Sequence, residues 1–210
     1  MIGKIFVTGS RCDPVEGKHV KDPHLGKNPS LGACRPDIRK QVQKGDHVFV
    51  VTGKVPGVAQ VLLGGFEVEE KINAMEAYER FPEQHLRQLP DGQVTGNVIV
   101  NADGKQHKLD HHDKDTLDRR IENYLVGTNP IALLTLEEIA EGRARTLEIL
   151  RDVFGIKGNS IRDLMGRHRN LSDRQIEKLR VHLEEVKKAV RQPRLVVPHR
   201  RVNEVTLLVS

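Results

Sequence analysis

The apolar positions of this chain fall into short continuous runs over its first two thirds and into helical spacing over its last third. Lys4-Ile5-Phe6-Val7-Thr8 predicts a first strand, ended by Gly9-Ser10. Residues 11–32 are rich in Pro, Gly, Lys and His and read as a long loop, a feature that is often functional. Ala33 to Gln43 reads as a helix, with Pro36 suited to its first turn and Asp37 to its positive end. A Gly45-Asp46 turn then launches the β-branched and aromatic run His47–Val51. Gly57–Leu63 predicts a second strand of this unit and Gly65–Val68 a third apolar piece. Glu69–Phe81 is helical in composition, stopped by Pro82. Asn97–Val100 reads as a strand that turns at Asn101–Gly104 and returns through Gln106–Leu109. A turn of helix near Arg119–Glu122 leads into another strand, and Ile131–Leu134 closes the series.

From Thr135 the period changes. Thr135 with Glu138 forms a capping box, and Leu136, Ile139, Ala140, Ala144, Leu147, Leu150 and Val153 keep helical spacing as far as Phe154, with Gly155 as the stop. A short helix spans Ser160–Gly166. Ser172 with Gln175 is a second capping box, and Ile176, Leu179, Leu183 and Val186 carry that helix to about Arg191, before Pro193. The expectation is therefore an α+β protein: a mostly β body over residues 1–134, a helical C-terminal extension over 135–192, and a tail over 193–210 with strand character.

Composition narrows the classes. No apolar run approaches the roughly 20 residues that span a bilayer, so no membrane partner is expected. Only two Cys occur, which excludes a disulfide scaffold and predicts a cytoplasmic protein with free thiols. Charge is unevenly placed: residues 155–201 carry 13 Lys/Arg against 5 Asp/Glu, a local excess that predicts a polyanionic partner.

Three groups of residues carry candidate chemistry. Thr8, Ser10, Cys34, Arg35 and Arg39 are expected to meet where the tip of the first strand faces the start of the Cys34 helix, an arrangement suited to a phosphate or a base edge. His111, His112, Arg119, Arg120 and Asn123 are expected to form a polar mouth over that pocket. Arg174 and Lys178, with Arg180, are expected to contact phosphates from the last helix, and Ser160–Gly166 with Ser172–Arg191 is weighed as a helix-turn-helix against a plain appendage packing on the body. Asp110-His111-His112-Asp113 has ligand chemistry without ligand spacing, so neither metal nor cofactor is expected.

The succession of helix, Gly-Asp turn, buried strand and Gly57-Val58-Ala59-Gln60-Val61 resembles the PUA-like barrels, such as the EVE, YTH and ASCH groups. Ala33-Cys34-Arg35-Pro36-Asp37-Ile38-Arg39 followed by Gly45-Asp46-His47-Val48 resembles more closely the second nucleotide-modification-associated domain family. The resemblance covers roughly residues 1–134. It implies a PUA-like barrel that binds nucleic acid, DNA rather than RNA, and recognises modified bases. An enzyme of nucleotide or DNA-base modification using the Cys34/Arg35/Arg39 pocket, with Cys34 as nucleophile and His111 or His112 as base, is the alternative, and a protein-interaction module a third. Seven aromatic residues and no Trp leave few rings to wall such a base.

Overall fold

The computed structural model describes residues 2–9, 13–16 and 20–192; Ser10 and the 193–210 tail lie outside the described residues. In chain order the elements are β1 (Gly3–Val7), β2 (Ser30–Leu31), α1 (Pro36–Gln41), β3 (His47–Val51), β4 (Leu62–Ile72) and α2 (Ala74–Arg80). They continue with β5 (Arg87–Gln88), β6 (Val94–Thr95), α3 (Leu117–Ile121), β7 (Tyr124–Ala132), α4 (Leu136–Phe154), α5 (Ile161–Met165), β8 (His168–Leu171) and α6 (Asp173–Arg191). The class is α+β. Six strands form a curled half-barrel in the order β2-β7-β4-β3-β1-β8, with β5 and β6 paired apart from it. β1 and β3 run parallel, and the other neighbours in the six-stranded sheet are antiparallel.

The curl has local causes. Register shifts interrupt the β3–β4 and β4–β7 ladders, and each such irregularity bends a strand and increases its twist. Gly64 and Gly65 lie inside β4 rather than in a turn between two strands. A Cβ on Gly64 would come 2.2 Å from the Ile131 carbonyl oxygen, and one on Gly65 would come 2.3 Å from that of Val48. The expected second and third apolar pieces are thus one long strand beginning at Leu62, and Gly57–Ala59 belongs to the connecting loop.

β4 also runs on through Ile72, where Glu70, Lys71 and Ile72 pair with Val126, Leu125 and Tyr124. The helix expected from Glu69 therefore starts only at Ala74, after Asn73 caps it by accepting from the Glu76 N–H at 2.9 Å. Sheet pairing outweighs the helical propensity of the Glu-Glu-Lys run.

The C-terminal helices share the core of the sheet. Ile5, Phe49 and Phe66 from the strands and Leu150, Leu179 and Leu183 from α4 and α6 form one buried cluster. Both capping boxes are present. Thr146 of α4 accepts from the Leu62 N–H at 2.9 Å, a side-chain bond that fixes the helix to β4. The Arg167–Leu171 connection is no helix-turn-helix turn: its β8 residues pair antiparallel with β1, from Leu171 opposite Gly3 to His168 opposite Phe6. Lys4 pins this edge, its Nζ donating to Gln41 Oε1 on α1 at 2.7 Å and to Asn170 Oδ1 on β8 at 2.6 Å. Among the described residues no helix is long and apolar enough to cross a membrane.

Two expectations follow for stability. Gly64→Ala should lower the denaturant midpoint by the equivalent of about 1–3 kcal/mol, the usual range for overpacking against a fixed backbone. His47 is buried with no hydrogen-bond partner at Nδ1 among the described residues, and burial holds its pKa below the ordinary 6.5; nearby Arg180 also disfavours the charged form, against Glu67, Asp46 and Asp173. As pH falls below that value the unfolded chain takes up the proton before the native one does. Stability should therefore decline with acidity, by at most about 1.4 kcal/mol per pH unit from this group. Denaturant titrations between pH 7 and pH 5 should show a shallower decline for His47→Gln.

Candidate functional site

The first candidate group is brought together, but as framework. Arg35 sits just before α1 in a left-handed conformation (φ 50°), so the chain turns sharply at Cys34-Arg35 before Pro36 starts the helix. Asp22, 1% exposed, lies on one side of the segment leading into this turn. Its carboxylate accepts from the N–H groups of Gly32 (2.8 Å), Ala33 (3.0 Å) and Cys34, and from Asn97 Nδ2 (3.0 Å). Asn97 in turn accepts from the Tyr124 hydroxyl at 2.7 Å and donates to Ser30 Oγ at 2.9 Å.

Arg39 lies on the other side and is fully buried. Its Nε donates to the Cys34 carbonyl at 3.0 Å. Nη1 donates to the carbonyls of Glu122 (2.6 Å) and Asn123 (3.1 Å), and Nη2 to those of Ala33 (3.4 Å) and Arg120 (3.0 Å). Burial lowers its pKa to about 10, which leaves it charged at neutral pH. Arg120 adds a bond from Nη1 to the Ala33 carbonyl at 2.9 Å, while its Nε is held by Thr116. Asn123, also left-handed (φ 54°), contributes its carbonyl to this knot.

The expected convergence of β1 and the Cys34 helix is real. Arg35 lies over the Phe6 ring at 5.6 Å, and the Arg167 carbonyl accepts from both the Val7 N–H (2.9 Å) and Arg35 Nη1 (3.3 Å). The expected open recess is not formed there. The Arg39 guanidinium is sealed by five carbonyls, and that of Arg35 is bound bidentately to Asp37 at 3.0 and 2.7 Å. Thr8 is buried, and its N–H donates to the Val51 carbonyl at 2.9 Å.

Cys34 does not have the electrostatics of a nucleophile. Burial, followed by the neighbouring Asp22 carboxylate, pushes its thiol well above the ordinary value and opposes the thiolate. Its place beside the start of α1 does not offset these two effects. His112 Nδ1 is engaged by Asp110 Oδ1 at 2.6 Å, His111 is exposed, and Arg119 is exposed on α3. Among the described residues no three of His, Cys, Asp and Glu converge to hold a metal. Arg174 is exposed near the start of α6, where Ile176 packs over Gly3 and so at the opposite end of β1 from Val7. Lys178 is paired with Asp152 of α4 at 3.0 Å.

Unpaired positive charge gathers at the carboxyl ends of β1 and β3. A cleft of about 380 Å³ is lined by Val7, Lys54, Gln60, Ile161, Arg162, Gly166 and Arg167. Lys54, Arg162 and Arg167 are exposed and have no carboxylate among the lining residues, and among the described residues none of them makes an ion pair within 4 Å, Arg162 feeling only the field of its chain neighbour Asp163. A second cleft of about 430 Å³ adjoins it and shares Lys54, Gln60 and Ile161. These residues were not singled out by sequence. Arg162 is the second residue of α5 and Arg167 follows the helix after Gly166, but only the pairing of β8 with β1 carries them to the strand ends.

No family model, curated protein or solved structure matches the chain.

Arg39→Ala should cost about 3–5 kcal/mol or abolish folding, because it strips the donors from buried carbonyls and leaves Asp22 without its nearby opposing charge. Arg119→Ala should stay within about 0.5 kcal/mol in the same denaturation assay. Peptide mapping after alkylation at pH 8 should find Cys34 unmodified in the native protein and modified after unfolding.

Proposed function

We propose that this chain binds nucleic acid, DNA in preference to RNA, on a PUA-like scaffold in the cytoplasm, with the polyanion seated at the carboxyl ends of β1 and β3. The observation that supports this reading is the cluster of Lys54, Arg162 and Arg167 around one cleft. A protein surface ordinarily interleaves both signs of charge, and three cations left unpaired around a concavity attract phosphate. The basic excess over residues 155–201 agrees with it. Modified bases in DNA are the ligands that the likeness of the Ala33–Val48 stretch points to. In this reading the stretch serves the scaffold, and the contacts to nucleic acid lie at the strand ends beside it. An enzyme that works through Cys34 has less support, because the thiol is held protonated.

Binding should depend steeply on salt. Three phosphate contacts predict a loss of about 20- to 40-fold in affinity between 50 and 200 mM salt, on the single-strand and duplex slopes respectively. The double variant Arg162→Gln, Arg167→Gln should weaken binding of plain and modified oligonucleotides alike and reduce the logarithmic salt slope by about 1.5. Fluorescence anisotropy at several salt concentrations measures both. A flat salt profile, or an unchanged slope in the double variant, overturns the reading.

A further inference from the structure

The two adjoining clefts differ in chemistry along one trough. At one end stand Lys54, Arg162 and Arg167. At the other are Val58, Ala59, Ala144 and Leu147, with the polar groups of Asn159, Ser160 and Arg143, and Ile161 lines both. Gln60, whose Nε2 donates to the Thr52 carbonyl at 2.6 Å, lies at the junction. Asn159 Oδ1 accepts from Arg151 at 3.2 Å, which anchors the side chain and leaves its amide NH₂ to donate. Arg143 is held by Asp13 and forms part of the wall.

A trough with a cationic end, an apolar floor and one anchored amide matches a phosphorylated nucleoside: phosphate, then a flat apolar body with a hydrogen-bonding edge. Its two compartments, about 380 and 430 Å³, are each within the range of small-molecule sites, roughly 300–1,000 Å³. The charge count separates two kinds of phosphate. A phosphodiester inside a strand carries one negative charge, whereas a terminal phosphomonoester carries between about 1.5 and 2 at neutral pH. Three convergent cations suit the second better. Among the described residues no aromatic ring lines either cleft, so the phosphate supplies most of the affinity, and the apolar floor adds shape.

We infer that the trough binds a 5′-phosphorylated nucleoside, with the monoester among Lys54, Arg162 and Arg167 and the base and sugar over Val58, Ala59 and Leu147. This rests on the nucleic-acid reading and gives it a ligand class. The ligand is either the 5′ end of a strand or a free mononucleotide, and the two share this chemistry.

The test is a set of binding measurements on the whole chain. A labelled single-stranded oligonucleotide is titrated with a 5′-phosphate and with a 5′-hydroxyl. Deoxyadenosine 5′-monophosphate, deoxyadenosine and inorganic phosphate serve as competitors. Preference for the 5′-phosphorylated strand of tenfold or more identifies a strand end. Equal binding of the two strands, with displacement by the monophosphate at concentrations tenfold or more below those of phosphate or nucleoside, identifies a free nucleotide. Ala59→Phe fills the floor at an exposed position and should weaken the monophosphate tenfold or more without changing competition by inorganic phosphate. Independently of any variant, the monophosphate should shift the amide resonances of residues 58–60 and 159–161, which inorganic phosphate should leave in place.

Salt-dependent binding of both strands, with no 5′ preference and no advantage of the monophosphate over phosphate, overturns the inference and leaves the nucleic-acid reading standing. Failure of the wild-type protein to bind either strand overturns both.

Discussion

Two opposite charges grip the same two residues from either side. Asp22 takes the N–H groups of Ala33 and Cys34, and Arg39 takes their carbonyls. Neither charge is left uncompensated, because the Ala33–Cys34 peptide bridges them, its N–H on Asp22 and its carbonyl on Arg39, and each side chain is saturated with hydrogen bonds. Such an arrangement is stable only as a unit: removing one partner leaves buried, unsatisfied groups, each with a penalty of about 1–3 kcal/mol. This grip sets where the chain turns at Arg35, where α1 begins, and how the α3–β7 junction is held through the carbonyls of Arg120, Glu122 and Asn123.

The remainder of the architecture follows from that joint. With α1 fixed, the Gly45-Asp46 turn delivers β3 beside β1 in parallel, and Asp46 closes the turn by accepting from the Ile2 and Gln43 N–H groups at 2.8 and 2.9 Å. β4 and β7 extend the sheet on one side of that pair and β8 on the other, while α4 and α6 complete its core. The parallel pair ends on the same side, so Val7 and the loop after β3 open together, and the pairing of β8 with β1 holds Arg162 of α5 and Arg167 at the same place. The candidate ligand face is thus a consequence of strand order.

Much of this was legible in the chain. β1, β3 and the two capped helices α4 and α6 stand out because apolar period and cap residues agree. The length of β4 did not, because Gly64-Gly65 reads locally as a turn, and only the neighbouring backbones at Ile131 and Val48 explain why glycine is required inside a strand. β8 did not either, since His168-Arg169-Asn170-Leu171 has neither alternation nor β-branched residues and is a strand only because β1 offers it an edge.

The site divides in the same way. The Cys34-Arg35-Pro36 to Arg39 pattern, read as an open pocket, lies in a dense polar network near the tip of β1. Its residue types could not reveal that the polar groups face inward. Arg39 bound to five carbonyls and Arg39 open to a phosphate have the same sequence. What distinguishes them is the position of Glu122 and Asn123, more than eighty residues away. Lys54, Arg162 and Arg167 are unremarkable in sequence, being three basic residues among 34, and acquire meaning only when the fold sets them around one cleft.

A framework at Ala33–Arg39 is thus distinct from the proposed ligand face at the strand ends. A hydrogen-exchange footprint of the protein with and without a saturating oligonucleotide tests this separation most directly. The account predicts new protection in residues 52–60 and 159–167, with the amides of residues 32–39 already slow and unchanged. Protection gained at 32–39, with none at the strand ends, would contradict it.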